Sequence, residues 1–290
     1  MITTRSLVKR YGDTVALDGV DLEVPAGVVY GLVGPNGAGK TTLLSILAGL
    51  RSPTDGEVEI DAERDEMAVL PDAPRWEPWL TGREVVELSV GLASSGAALD
   101  VDAVLAEAGL ADAADRRVGG YSRGMLQRLG LAATVVTSPT VLLLDEPASA
   151  LDPAGRRETL DLVRRLRGQA TVVFSSHILT DVQEVSDWIG VLDRGRLLYQ
   201  GSAEELLGGE RSVYEVRVRG GARDVADALG GREWVESATA VDDRLVRVHA
   251  TSVEAAERDL TAVLAETKVR LMSVAPARPT LEEVFMELTR

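Results

Sequence analysis

The stretch GPNGAGKTT, Gly34 to Thr42, combines glycines, a lysine and two threonines in the spacing G-x-x-x-x-G-K-[ST]. Glycines at such positions let successive backbone N–H groups turn inward around phosphate oxygens. Lys40 adds a mobile charge for the outer phosphates, and the Thr41 hydroxyl is a hard oxygen ligand suited to Mg²⁺. Further along, VLLLDEP ends an apolar run in two carboxylates, Asp145 and Glu146. The first, beside a phosphate loop, can hold Mg²⁺ through water, and the second can orient or deprotonate an attacking water. A third stretch, YSRGMLQR from Tyr121 to Arg128, places Ser-x-Gly where a helix should begin. It carries no nucleophile with a nearby base and no metal-ligand spacing. Ser122 is a good helix cap, and the start of a helix attracts an anion.

The elements that must position these groups follow from the pattern. VVYGLVG, Val28 to Gly34, reads as a buried strand, followed by the loop and a helix from Lys40 to about Leu47. EVEID and MAVLP read as short strands. Helices are expected from Arg83 to Leu92, Val101 to Ala108 and about Ser122 to Val136. TVLLLDEP is a strand ended by carboxylates. A helix from about Ala154 to Arg167 precedes the strand ATVVFSSH, and WIGVLDRGRLLYQG reads as a hairpin turning at Arg194–Gly195. Strands alternating with helices predict an α/β unit with a parallel sheet. A boundary is expected near Gly208–Glu210, after which the order βαββαβ predicts a small ferredoxin-like α+β domain. In it SVYEVRVR alternates, a hairpin turns at Asp242–Asp243, and TLEEVFMELT is a closing amphipathic helix. The domains are thus 1–208, with a helical part over about 75–137, and 211–290.

Composition bounds the function. The chain has 290 residues, 45% of them apolar, with a net charge of −15 and no cysteine. That charge disfavours nucleic acid as a partner, since phosphate backbones need basic surface. Without cysteine there are no disulfides and no thiol chemistry. The N-terminus lacks a secretory apolar run, and the stretch Leu129 to Leu144 is too broken to span a membrane, so a soluble chain is expected. No internal repeat and no low-complexity segment is evident. His249 in an alternating strand reads as structural. Arg164, Arg165 and Arg167 read as a solvated helix face.

Together and in order, these motifs resemble the nucleotide-binding subunit of an ABC transporter, over Met1 to about Leu207. The resemblance implies that ATP and Mg²⁺ are bound by Gly34, Pro35, Asn36, Gly37, Ala38, Gly39, Lys40, Thr41 and Thr42. Tyr11 lies in the position of the aromatic that stacks on adenine. Thr41 and Asp145 fall at the metal positions. Lys40, Glu146 and His177, the last in SSH at the position of the switch histidine, form the catalytic set. A lone histidine of this kind is more often structural. YSRGM lies at the signature position, so Ser122, Arg123, Gly124 and Met125 would close over the γ-phosphate held by a second copy. Ser149, Ala150, Leu151 and Asp152, in SALD, match the dimer loop. The implied assembly is a head-to-tail homodimer that drives a separate integral-membrane permease, for export, from the cytoplasmic face of the membrane. The rival class is a soluble switch of the same ATPase type acting on a non-membrane partner.

The chain departs from the pattern in places. Arg123 and Met125 replace a Gly and a Gln of the usual signature. Asp72, in AVLPDAP, stands where the family places Gln; it could face Mg²⁺ or be a solvated loop acid, and it brings no amide donor. The segment from Ile60 to Met67 is short. Arg75, Trp76 and Trp79 fall where the family docks its membrane subunit, and Trp and Arg are favoured anchors; equally, the indoles could pack on their own helical part. The second domain resembles the C-terminal extension of the multidrug and antibiotic exporter branch, most closely in PTLEEVFMELT.

Overall fold

The computed structural model describes residues 1–93, 98–208, 212–277 and 280–289. The chain divides into two compact units, Met1–Ala203 and Glu204–Glu287. Of the boundary expected at Gly208–Glu210, Gly209 and Glu210 lie outside the described residues. The division falls at the start of a short helix, α7 (Ala203–Gly208).

Two sheets build the first unit. An antiparallel sheet joins β1 (Ile2–Tyr11), β2 (Thr14–Val20), β3 (Glu23–Val24) and β5 (Asp55–Ile60), with β1 central. Sequence patterning did not pick out β1 to β3, although β1 buries Ile2, Thr4 and Leu7 on one side. The other sheet runs β10–β9–β4–β8–β7–β6, over β10 (Arg196–Ser202), β9 (Trp188–Asp193), β4 (Val29–Val33), β8 (Thr171–Ser176), β7 (Val141–Leu144) and β6 (Met67–Leu70). Its pairings are parallel except for the antiparallel edge hairpin β9–β10, which turns at Arg194–Gly195. Every residue of β4, β7 and β8 is buried, as a parallel strand covered on both faces must be.

Helix α1 (Lys40–Leu47) follows β4 and packs on β2 and β7. Its Leu43, Leu44, Ile46 and Leu47 join Leu17, Leu32 and Leu143 in one core between the two sheets. Each such side chain contributes about 1.5–3 kcal/mol by leaving water. Helices α2 (Gly82–Leu92), α3 (Val101–Glu107) and α4 (Arg123–Val135) pack on one another, and α4 also lies on β6. Their starts are fixed locally: a capping box joins Thr81 and Glu84, Asp100 caps α3, and Ser122 caps α4. Helix α5 (Pro153–Arg165) is capped by Asp152, with proline in its first turn. Helix α6 (Leu179–Val185), which the apolar pattern did not suggest, follows β8 and packs on β4 and α5.

In the second unit an antiparallel sheet has the order β12–β13–β11–β14, from β11 (Ser212–Val218), β12 (Val235–Ala240), β13 (Leu245–Ala250) and β14 (Leu271–Ala277). Helices α8 (Ala222–Leu229) and α9 (Val253–Glu266) connect the strands, and α10 (Leu281–Leu288) follows. Val216, Val246 and Val248 pack with Val225, Leu229 and Leu260 in a separate core.

Candidate functional site

A cleft of about 530 Å³ opens where β4 gives way to α1. Asn36 to Thr42 form its floor, and Asp72, Arg123, Glu146, Ser149 and His177 line it together with Thr14 to Ala16 of β2. The loop keeps its shape because Gly39 holds φ at 110°, and a Cβ there would sit 2.7 Å from the Ala16 carbonyl oxygen. Gly39 also caps α1 without any side-chain bond, so the first-turn amides are donors facing the cleft end.

Lys40 is only 6% exposed. Its Nζ donates to the carbonyls of Gly34 (2.7 Å) and Pro35 (3.2 Å) and lies 3.7 Å from Glu146 Oε1. Burial lowers its pKa below the ordinary lysine value, and the carboxylates of Glu146 and Asp145 oppose that. Asp145 ends β7 and is buried. The Ser175 hydroxyl donates to its Oδ1 at 2.6 Å and accepts from the Glu146 backbone N–H at 2.9 Å. Glu146 holds φ at 49°, the left-handed region that non-glycine residues rarely adopt. That turn carries the carboxylate from the strand end to His177, whose Nδ1 lies 2.8 Å from Oε2. With the carboxylate ionised, Nδ1 carries the proton and the second ring nitrogen is left for another partner.

The structure gathers the phosphate loop, Glu146 and His177 into one cleft and adds Ser175 and the β2 edge, which sequence reasoning missed. The doublet in SSH was the available signal for Ser175; nothing local marks Thr14 to Ala16. Arg123 lines the cleft of its own chain. The Ser149 hydroxyl donates to Asp72 Oδ1 at 3.2 Å. Ser122 accepts from the Met125 amide at 3.2 Å and is exposed. Gly124 packs toward Leu151 and the Ala150 carbonyl. Asp152 accepts from the Gly155 amide at 2.9 Å.

Tyr11 is not among the residues lining this cleft. It lies opposite Thr14 in the β1–β2 pair, 40% exposed. Its hydroxyl accepts from Arg51 at 2.8 Å, and the cations of Lys9 and Arg51 stand 5.1 and 5.5 Å from the ring centre. The two tryptophans part company. Trp76 is half-buried and lines a cavity together with Val69, Leu92 and Ala133, and its indole N–H finds no partner among the described residues. Trp79 is 63% exposed and Arg75 is exposed. Arg165 and Arg167 are exposed, as a solvated face requires, and Arg164 is half-buried; Arg164 also binds Glu184 at 3.1 Å, and Arg167 pairs with Asp187 at 2.9 Å.

Residues 17–149 match the family described as ABC transporter. Over 99% of its length the chain is 40% identical to the daunorubicin resistance ATP-binding protein DrrA3 of Streptomyces coeruleorubidus, covering 95% of that protein. The chain belongs to the ABC transporter ATP-binding proteins. Another relative of this cassette is the bacitracin transport ATP-binding protein BcrA of Enterococcus faecalis, 30% identical over 99% of this chain and 96% of that one. Among solved structures, the dimeric structure of a bacterial ABC transporter cassette is 26% identical with a TM-score of 0.64, over 70% of this chain and 99% of that one. The cassette is therefore an ATP-binding subunit of the type homologous to exporter ATPases, with the P-loop NTPase α/β fold. Among the described residues, no helix is long and apolar enough to cross a membrane.

Proposed function

We propose that two copies of this chain pair head to tail around ATP and hydrolyse it with Mg²⁺, driving export through a separate integral-membrane subunit. The observation that carries this reading is the set around Glu146. One carboxylate stands 3.7 Å from a buried lysine inside the phosphate loop and 2.8 Å from a histidine, with the Asp145 carboxylate buried next to it.

The role of each group follows from its place. The loop amides and Lys40 hold the outer phosphates. Glu146 accepts a proton from the attacking water, and His177 fixes the carboxylate and reaches the γ-phosphate with its free nitrogen. Thr41 and Asp145 would hold Mg²⁺, with Asp72 near enough to the cleft to join them. The oxygen-only donors suit that ion, and among the described residues no cluster of acids and histidines could hold a metal without phosphate oxygens. When bound, Mg²⁺ neutralises charge on the β- and γ-phosphates.

Ser122 to Met125, at the head of α4, would face the nucleotide of the other copy, and Ser149 to Asp152 would border it. Loss of the γ-phosphate on hydrolysis removes the bridge between copies and lets them part. Tyr11 stacks on adenine in this reading, and Trp79 with Arg75 offers exposed anchors to the permease. The relatives' names concern antibiotic resistance and transport, which supports export. The second unit, with strand order 2-3-1-4 in its own numbering, is assigned as a ferredoxin-like accessory domain. The assembly then sits on the cytoplasmic face of the membrane.

Tagged full-length chain, purified from detergent-solubilised membranes, is expected to bring down an integral-membrane protein. The complex should hydrolyse ATP with Mg²⁺ and stop in chelator. Recovery only with soluble partners would sink the transport reading, and a complex inactive with Mg-ATP would sink the enzymatic one.

A further inference from the structure

Helix α6 is held from two directions. Its first turn begins two residues after His177, and its N-cap, Ile178, has no side-chain cap bond. A local pair of bonds between Ser176 and Ile178 ties it back to β8: the Ile178 amide donates to the Ser176 hydroxyl at 3.0 Å, and that hydroxyl donates to the Ile178 carbonyl at 3.4 Å. On one flank α6 lies directly on β4. A Cβ at Gly31 would stand 2.3 Å from the Ser186 hydroxyl and 2.4 Å from Val182, so only glycine permits this approach. On the other flank, Arg156 and Arg164 of α5, and Arg167 just beyond it, bind α6 and the residues that follow it in succession. Arg156 donates through Nε (2.7 Å) and Nη2 to Asp181 Oδ1, and through Nη2 to Thr180 at 3.4 Å. Arg164 reaches the Glu184 carbonyl and carboxylate, and Arg167 the Val185 carbonyl and Asp187.

The Arg156–Asp181 pair differs from the other two. The Asp181 side chain is 5% exposed, whereas Glu184 is 53% exposed. Exposed pairs contribute little, whereas a buried carboxylate that loses its cation leaves an uncompensated charge. Burial raises the Asp181 pKa, with Arg156 opposing. Arg156 also lies one turn beyond Asp152, which caps α5. One end of the pair thus belongs to α5, which directly follows Ser149–Asp152, and the other to α6, which begins two residues after His177.

We propose that Arg156 and Asp181 form a positioning clamp that keeps His177 in register with the Ser149–Asp152 loop, so that a shift of this loop is felt at the His177–Glu146 contact. This rests on the hydrolytic roles proposed above for Glu146 and His177. Neither clamp residue lines the phosphate-loop cleft; both act through the placement of α6. A displacement of about 1 Å in a reacting group costs up to about a hundredfold in rate.

The test uses the full chain in its membrane complex. Arg156→Met should lower kcat about tenfold with KM for ATP within about twofold, because geometry at the reacting atoms is lost and not binding. Arg156→Lys should restore part of the rate. In a His177→Ala background, Arg156→Met should cost nothing further, since both changes remove the same contact. The chain has two histidines, so ring NMR of the labelled chain separates them. Arg156→Met should move the His177 signal and leave that of His249. If Arg156→Met fails to fold, Asp181→Asn, of nearly the same shape, takes its place. A full tenfold loss repeated in the His177→Ala background, or a His177 signal unmoved by the variant, overturns the clamp alone. A parental kcat in His177→Ala itself overturns the role of His177 and the clamp with it.

Discussion

The carboxylate side of the cleft and the Ser122–Met125 turn differ in what holds their polar groups. Around Glu146, side chains hold side chains across long stretches of sequence: Ser175 binds Asp145, His177 binds Glu146, and Lys40 is buried against both carboxylates. At Ser122 the hydroxyl accepts, among the described residues, one bond from an amide three residues on, and the residue is exposed. The first region is preorganised, so charge can develop there without rearrangement. The second is an ordinary capped helix start with unused capacity. One region holds its polar groups among themselves, and the other leaves hydrogen-bonding capacity for a further partner.

The largest test of that contrast is Glu146→Gln. The amide keeps the shape but loses proton acceptance, so hydrolysis should fall on the order of a hundredfold to ten-thousandfold with ATP binding retained. Sedimentation with Mg-ATP should show a trapped dimer; a monomer with near-parental turnover would show that Glu146 is not the base. Next comes Ser122→Arg, expected to abolish hydrolysis while leaving ATP binding to a lone chain unchanged. Mixed in equal amounts with Lys40→Ala, it should recover about a quarter of parental activity, since half the symmetric dimers are mixed and each has one intact site of two. No recovery in verified mixed dimers would mean that the turn serves its own chain, where Arg123 already lines the cleft. Asp72 offers a smaller effect. Asp72→Ala should raise the Mg²⁺ needed for turnover, and Ser149→Ala, which removes one hydrogen bond to it, should change that requirement by about two- to fivefold. Superimposable Mg²⁺ curves would leave Asp72 as a loop residue. Smallest is Ser122→Ala, where loss of a cap costs about 1 kcal/mol and lowers Tm by about 2–4 °C; calorimetry of the chain without nucleotide reads it.

What the sequence made legible was local. The phosphate loop reads from one nonapeptide because its glycines and lysine need each other at fixed spacing, and β7 reads from four apolar residues before two acids. The order of elements along the second unit, βαββαβ, follows from alternation and turns. What stayed hidden needed distant partners. Arg164 and Arg167 read as a solvated face and remain largely so, but only the fold brings Glu184 and Asp187 within reach of them. Strand β1 was missed because its register shifts between Leu7 and Val8 and again between Lys9 and Arg10, which spoils a period of two. Trp76 and Trp79 share a motif, yet one fills a cavity edge and the other faces outward, a difference set by α2 and α4 and not by their neighbours.

The left-handed backbone at Glu146 has a consequence for how this position evolves. Glycine suits that conformation, asparagine tolerates it, and glutamate does so less well. In a saturation library at this site, selection for thermal stability alone should enrich Gly and Asn over the parental residue, while selection for turnover should return Glu. Opposed rankings at one codon would mark the glutamate there as kept for chemistry against the preference of the chain.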